Sequence, residues 1–111
     1  MTPGEITRNL ELAQQGNTIA VITSNRPNAS YLFKAHLGAV NEWNDVSAHM
    51  HNLRLVFPGD GTITFKYLPD QIRGHRFDYV EFDGLADIPT ELIELATLAA
   101  VPRRTEDDAT S

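Results

Sequence analysis

The chain has 111 residues, which suits one domain, and its lack of cysteine excludes disulfides, thiolate metal sites and cysteine nucleophiles. Its formal net charge of -6, from 15 acidic and 9 basic residues, argues against holding nucleic acid by overall charge. No apolar run approaches the roughly 20 residues of a membrane span and no signal-peptide pattern is present, so we predict a cytoplasmic protein without membrane contact.

The first predicted element is a helix with a strong amino-terminal signal. Thr2 suits the N-cap, Pro3 suits the first helical position, and Glu5 completes a capping box. Gly16 is a typical residue for ending this helix.

A buried strand and a second helix are expected next. Residues 18–23 form a β-branched run without polar alternation, which predicts an inner strand of a parallel sheet. Either Asn28 or Ser30 can cap the helix that follows, and its apolar spacing continues to about Trp43.

The next part of the chain predicts an antiparallel hairpin and a further strand. Residues 53–57 and 62–67 flank a Pro-Gly-Asp-Gly turn, in which Asp60-Gly61 suits positive φ. A strand is then expected over residues 77–82, and Asp83-Gly84 ends it.

The last predicted helix covers residues 90–100, after a proline. Residues 102–111 contain almost nothing to bury and are predicted to be a disordered acidic tail. The sequence therefore predicts a single α/β domain over residues 1–101. Its sheet should be small and mainly parallel, with an antiparallel hairpin and with helices packed on it.

Three segments resemble, in the same order, parts of the ATPase domains of phage terminase large subunits and related helicases. They are GNTIAVITSNRPNA at residues 16–29, GTITF at residues 61–65 and IRGHRFDYVEFD at residues 72–83. Together they cover about residues 16–84. The resemblance implies an incomplete P-loop NTPase-like core.

The same resemblance gives Asp83 the place of the Walker B aspartate, where it would be vestigial. Gly84 stands where the family has a catalytic glutamate, and the phosphate-binding string G-x-x-x-x-G-K-[ST] is absent. We therefore predict a protein without catalytic residues or a cofactor, which neither binds nor hydrolyses ATP. Possible contacts to a phosphate or a partner are Arg26, Arg73, Gly74 and Arg76.

Two sets of side chains deserve comparison with metal sites. Asp78, Glu81 and Asp83 share one strand, but alternation places Asp78 on the opposite face, and a solvated strand face is the preferred interpretation. The other set consists of the four histidines, in which a close pair would need a third ligand: His36, His49, His51 and His75. We predict no metal.

Three hypotheses for function follow. The leading one is a non-catalytic, terminase-like phage or prophage protein, located in the host cytoplasm, that binds a protein partner or itself through the sheet edge at residues 77–82. One alternative is half of a split ATPase, in which a partner supplies the phosphate loop and this chain supplies Asp83 and Arg73. The other is a small nucleic-acid-binding module that uses Arg26, Arg73 and Arg76. Substituting Asp83 or Arg73 by alanine is expected to leave folding nearly unchanged.

Overall fold

Five strands and three helices form the fold in the computed structural model, which describes residues 1–43 and 45–101. In chain order the elements are α1 (Pro3–Gln14), β1 (Thr18–Ile22), α2 (Arg26–Val40), β2 (Ser47–His49), β3 (Arg54–Val56), β4 (Thr62–Lys66), β5 (Tyr79–Phe82) and α3 (Thr90–Ala99). The sheet order is β2-β3-β4-β1-β5. The predicted α/β class is confirmed, and the predicted tail at residues 102–111 lies outside the described residues.

The sheet is mixed, with parallel pairing on one side of β4 and antiparallel pairing on the other. Strand β1 lies in the interior and runs parallel to β4 on one side and to β5 on the other. Strands β3 and β4 form the predicted antiparallel hairpin, and β2 adds an antiparallel strand beyond it. Sequence analysis missed β2, because all three of its residues are exposed and show no apolar alternation.

The helix ends follow local chemistry. In α1 the predicted capping box is confirmed, since Thr2 Oγ1 accepts from the Glu5 N–H and Glu5 Oε1 accepts from the Thr2 N–H. In α2 the predicted cap at Asn28 or Ser30 is wrong. Asn25 is the cap, and its Oδ1 accepts from the Asn28 N–H at 2.9 Å.

The carboxyl-terminal end of α2 also lies earlier than predicted. The helix ends at Val40, so Trp43 is not on its apolar face. The indole instead makes an edge contact with Phe57, with the ring centroids 6.4 Å apart. Trp43 therefore covers the end of the hairpin from outside the helix.

The hairpin turn differs from its prediction at one residue. Positive φ occurs at Gly59 and Asp60, at 81° and 70°, whereas Gly61 has a φ of -67°. The expectation was correct for Asp60 and wrong for Gly61. Gly61 has a different constraint, because a Cβ built on it would lie 1.8 Å from the carbonyl oxygen of Ala13.

The two faces of the sheet have separate cores of unequal extent. The larger core packs α1 and α2 against one face and includes Leu10, Phe33 and Phe65. The smaller core packs α3 against Ala20 and Ile22 of β1, with Val80 and Phe82 of β5 partly buried against it. Helix α3 thus covers the β1–β5 half of its face and not the β3–β4 half.

Strand β5 lies at the edge of the sheet, as predicted. It begins at Tyr79, later than expected, because Phe77 belongs to an isolated bridge with Ala100. The Phe77 N–H donates to Ala99 O, and the Val101 N–H donates to Phe77 O. The outer side of Tyr79–Phe82 has no strand neighbour among the described residues. None of the helices in the described part of the chain is long and apolar enough to cross a membrane.

Candidate functional site

The carboxyl end of β5 is the site that the resemblance indicated. Asp83 follows the strand, and Gly84 turns the chain away with a φ of 73°. The Asp83 carboxylate is already paired, because its Oδ1 lies 2.8 Å from the α-amino nitrogen of Met1. This contact raises the pKa of the Met1 amino group. The carboxylate at the end of β5 is therefore neutralised by an intramolecular cation.

The other two acidic residues near β5 are not on a solvated face, so that prediction is wrong. Asp78 is 7% exposed, and its Oδ2 accepts from both the N–H and the Oγ1 of Thr18. Glu81 lies under α1, where its Oε1 accepts from Arg8 Nη1 at 2.9 Å. Burial raises the pKa of Glu81. Both carboxylates join β5 to neighbouring elements, which alternation along one strand could not reveal.

The histidines do not gather into a metal centre. His36 is fully buried in α2, where its Nδ1 donates to Leu32 O at 2.8 Å and its Nε2 faces the Asn9 amide at 3.2 Å. Burial lowers the pKa of His36. Within residues 1–43 and 45–101, no three His, Asp or Glu side chains are placed to hold a metal ion.

The arginines singled out from the sequence divide between two places. Arg73 forms ion pairs with Asp70 and Glu91 near the start of α3. Arg26 and Arg76 line a groove on the open half of the sheet face. Gly74 lies in the turn between Arg73 and Arg76, with a φ of 79°. Asp83 does not line that groove, so the sheet keeps the carboxylate and these two arginines apart.

We call this cavity the basic groove. It has a volume of about 620 Å³, and the hydroxyl-bearing residues Thr62 and Thr64 of β4 contribute to its lining. None of its lining residues is Asp or Glu. Six lining residues have basic side chains, namely Arg26, His51, Arg54, Lys66, His75 and Arg76.

Two of these basic residues, Arg54 and Lys66, were missed by sequence reasoning. Burial, together with the nearby Arg54 charge, lowers the pKa of Lys66. The Arg54 Nε atom is buried and has no hydrogen-bond partner among the described residues. Alternation in β4 could have indicated that Lys66 faces away from the larger core. The open sheet face beside Lys66 depends on where α3 packs, and that position cannot be read from the local sequence.

No protein-family profile, curated protein or solved structure matches this chain in sequence or in fold. The class of protein is therefore defined by the fold and the groove alone: a small α/β domain with a basic cavity on a half-covered sheet face.

Proposed function

We propose that this chain is a non-catalytic binding protein that holds a short single strand of nucleic acid in the basic groove. The observation that carries the proposal is the segregation of charge. A chain with a net charge of -6 lines one groove with four Lys or Arg side chains, two histidines and no acidic side chain. Clustered cations of this kind attract phosphates over short distances even when the net charge is negative.

The shape and chemistry of the groove support a single strand as the ligand. Its volume lies within the range of about 300–1,000 Å³ typical of small-ligand sites, so it accommodates parts of a strand and not a duplex. Tyr67 lines the groove and is partly buried against the larger core. Its hydroxyl accepts from Arg26 Nη1 at 3.1 Å, which positions that guanidinium at the rim.

The test is fluorescence anisotropy with a labelled oligothymidine over a series of salt concentrations. If about four phosphates are contacted, the logarithm of the binding constant falls against the logarithm of salt concentration with a slope near -3. The variant Arg26→Gln/Arg76→Gln should bind at least about tenfold more weakly, with the slope reduced in magnitude by about 1.4.

The matched control is Arg8→Gln/Arg73→Gln, which removes the same charge from arginines that pair with Glu81, Asp70 and Glu91. This control should bind like the unmodified protein. Equal weakening of both double variants would show that net charge, and not the groove, determines binding.

A protein partner at the outer edge of β5 is a second candidate function, supported by the open side of Tyr79–Phe82. The Asp83 N–H donates inward to Ile22 O, so alternation directs the Phe82 N–H outward, where another strand can accept from it. A lysine placed on this strand, as in Val80→Lys, would not test the edge cleanly, because Val80 packs against the smaller core.

Self-association at this edge is tested by light scattering and amide hydrogen exchange across a concentration series. If two copies pair through β5, the mass rises toward that of a dimer, and exchange of the Phe82 amide slows at the same concentrations. A monomeric mass with unchanged Phe82 exchange at the highest concentration would exclude self-pairing.

Descent from a terminase-like phage motor is the origin that we propose for the domain. The position of Asp83 after a strand parallel to β1 supports it, together with the three resembling segments. Adjacency of the gene to terminase, portal or replication genes would strengthen this proposal, and a setting without phage genes would weaken it.

A further inference from the structure

The floor of the basic groove brings two cations onto neighbouring strands. Arg54 of β3 is the register partner of Thr64 in β4, and Lys66 lies two residues further along β4. Residues two apart in a strand project from the same face, so Arg54 and Lys66 share the open face of the sheet. Both line the groove.

Neither cation is neutralised by the part of the chain that the structure describes. The ion pairs within residues 1–43 and 45–101 involve Arg8, Arg73 and the Met1 amino group, and not Arg54 or Lys66. Within the described ranges, the buried Arg54 Nε–H also has no acceptor. Two adjacent cations repel each other, so an anion bound between them would relieve that repulsion.

One buried carboxylate, that of Asp78, contacts the Thr18 end of the groove. Asp78 accepts from Thr18, which is the register partner of Thr62. Thr62 lies four residues before Lys66 in β4, a separation of about 13 Å at the rise of a strand. That carboxylate therefore stabilises the start of β1 and lies away from Lys66.

We propose that Arg54 and Lys66 form a subsite for one phosphate group at the floor of the basic groove. A guanidinium binds two phosphate oxygens at once, and an ammonium adds a compact charge to a third. This inference rests on the proposed function and deepens it, because it names the group of the strand that reaches the floor. The group can be a terminal phosphate monoester, an internal phosphodiester or free phosphate.

Titration of the full chain with inorganic phosphate, followed by ¹⁵N NMR, tests the subsite directly. The Arg54 Nε–H signal should shift and saturate as phosphate is added, and sodium chloride at the same ionic strength should not shift it. Lys66→Gln should weaken phosphate binding at least about tenfold. Arg73→Gln, which removes an equal charge outside the groove, should leave binding unchanged.

A stability measurement separates loss of the subsite from loss of the fold. Unliganded Lys66→Gln should melt at the same temperature as the unmodified protein or higher, because the substitution removes repulsion between two cations. Phosphate should raise the melting temperature of the unmodified protein and not that of Lys66→Gln. An equal rise in both proteins would overturn the proposal.

Oligonucleotides with and without a 5′-phosphate identify the source of the group. Tighter binding of the phosphorylated strand assigns the subsite to a terminal phosphate, and equal binding with competition by inorganic phosphate assigns it to an internal diester. Strand binding without phosphate competition would overturn the subsite and leave the proposed function intact. Phosphate binding without strand binding would overturn the proposed function and leave the phosphate subsite intact.

Discussion

At the scale of single residues, Gly61 shows a requirement for space and not for unusual backbone geometry. Its φ of -67° is open to any residue. The turn nevertheless passes so close to the end of α1 that an added Cβ would lie 1.8 Å from Ala13 O and 2.7 Å from Ala13 C. Both are backbone atoms, which cannot rotate away as a flexible side chain would.

We therefore expect Gly61→Ala to lower the free energy of unfolding by about 3 kcal/mol, as overpacking against a fixed neighbour does. Gly38→Ala is the control, because Gly38 lies within α2 and a Cβ there meets nothing within 4 Å. That substitution should add about 0.5–1 kcal/mol, because alanine favours the helix. Urea denaturation measures both changes, and similar effects of the two would contradict the close approach.

His36 gives the folded protein a dependence on pH. Burial holds its pKa below the ordinary value of 6.5, so the unfolded chain binds a proton more readily than the folded one. The stability that this histidine contributes is complete above pH 6.5 and is lost as the pH falls below it. Glu81 has the opposite sign, because its raised pKa makes the folded state relatively more stable as the pH falls toward 4.5.

The expected outcome is a midpoint of urea unfolding that decreases between about pH 7.5 and 5.5. In His36→Gln the decrease should be much smaller, since the group that takes up the proton is gone. Glu81→Gln removes the opposing contribution, so the decrease should persist or become steeper. An unchanged decrease in His36→Gln would assign it to other groups.

At the scale of elements, one reciprocal contact joins the starts of β1 and β5. The Asp78 carboxylate accepts from the Thr18 N–H at 2.8 Å and from its hydroxyl at 3.2 Å. The Thr18 hydroxyl in turn accepts from the Asp78 N–H at 3.0 Å. This pair lies where the β1–β5 ladder begins, so it fixes the register of the edge strand.

Substituting Asp78 by alanine should lower the free energy of unfolding by about 2 kcal/mol, because the part-buried Thr18 N–H and hydroxyl lose a carboxylate acceptor. Asp87→Ala, on the exposed turn before α3, should change it by less than about 0.5 kcal/mol. Thermal or urea unfolding compares the two variants. A loss no greater for Asp78→Ala than for Asp87→Ala would show that the ladder alone sets the register.

The elements with strong local signals were the ones that sequence analysis predicted. The capping box of α1, the interior position of β1 and the β3–β4 hairpin each follow from a short run of residues. The basic groove could not be predicted in the same way. It exists because α3 packs over β1 and β5 and leaves β3 and β4 open, and that arrangement depends on contacts distant in sequence.

At the scale of the whole molecule, the separation of Asp83 from the groove leads to a prediction for nucleotides. No ATP hydrolysis is expected, because the P-loop string is absent and Asp83 pairs with the Met1 amino group. Any binding of ATP should occur through its phosphates in the groove. It should therefore survive removal of Mg²⁺ and the substitution Asp83→Asn, and it should be lost in Lys66→Gln.

Isothermal titration with ATP, with and without Mg²⁺, checks the binding prediction for the unmodified protein, Asp83→Asn and Lys66→Gln. A phosphate-release assay checks for hydrolysis. Magnesium-dependent binding that Asp83→Asn abolishes would contradict it and would favour the split-ATPase alternative.

The half-covered sheet face also leads to a prediction for the length of strand that the proposed groove would bind. Four of its nine Lys and Arg residues line the groove, which leaves five to oppose 15 acidic residues elsewhere in the chain. A strand that extends past the groove enters this negative field, which reaches about 10 Å at 0.1 M salt. Each nucleotide beyond the rim adds repulsion without a new contact, so affinity should pass through a maximum as the strand is lengthened. If the groove binds nucleic acid as proposed, we expect the protein to bind short strands more tightly than long ones.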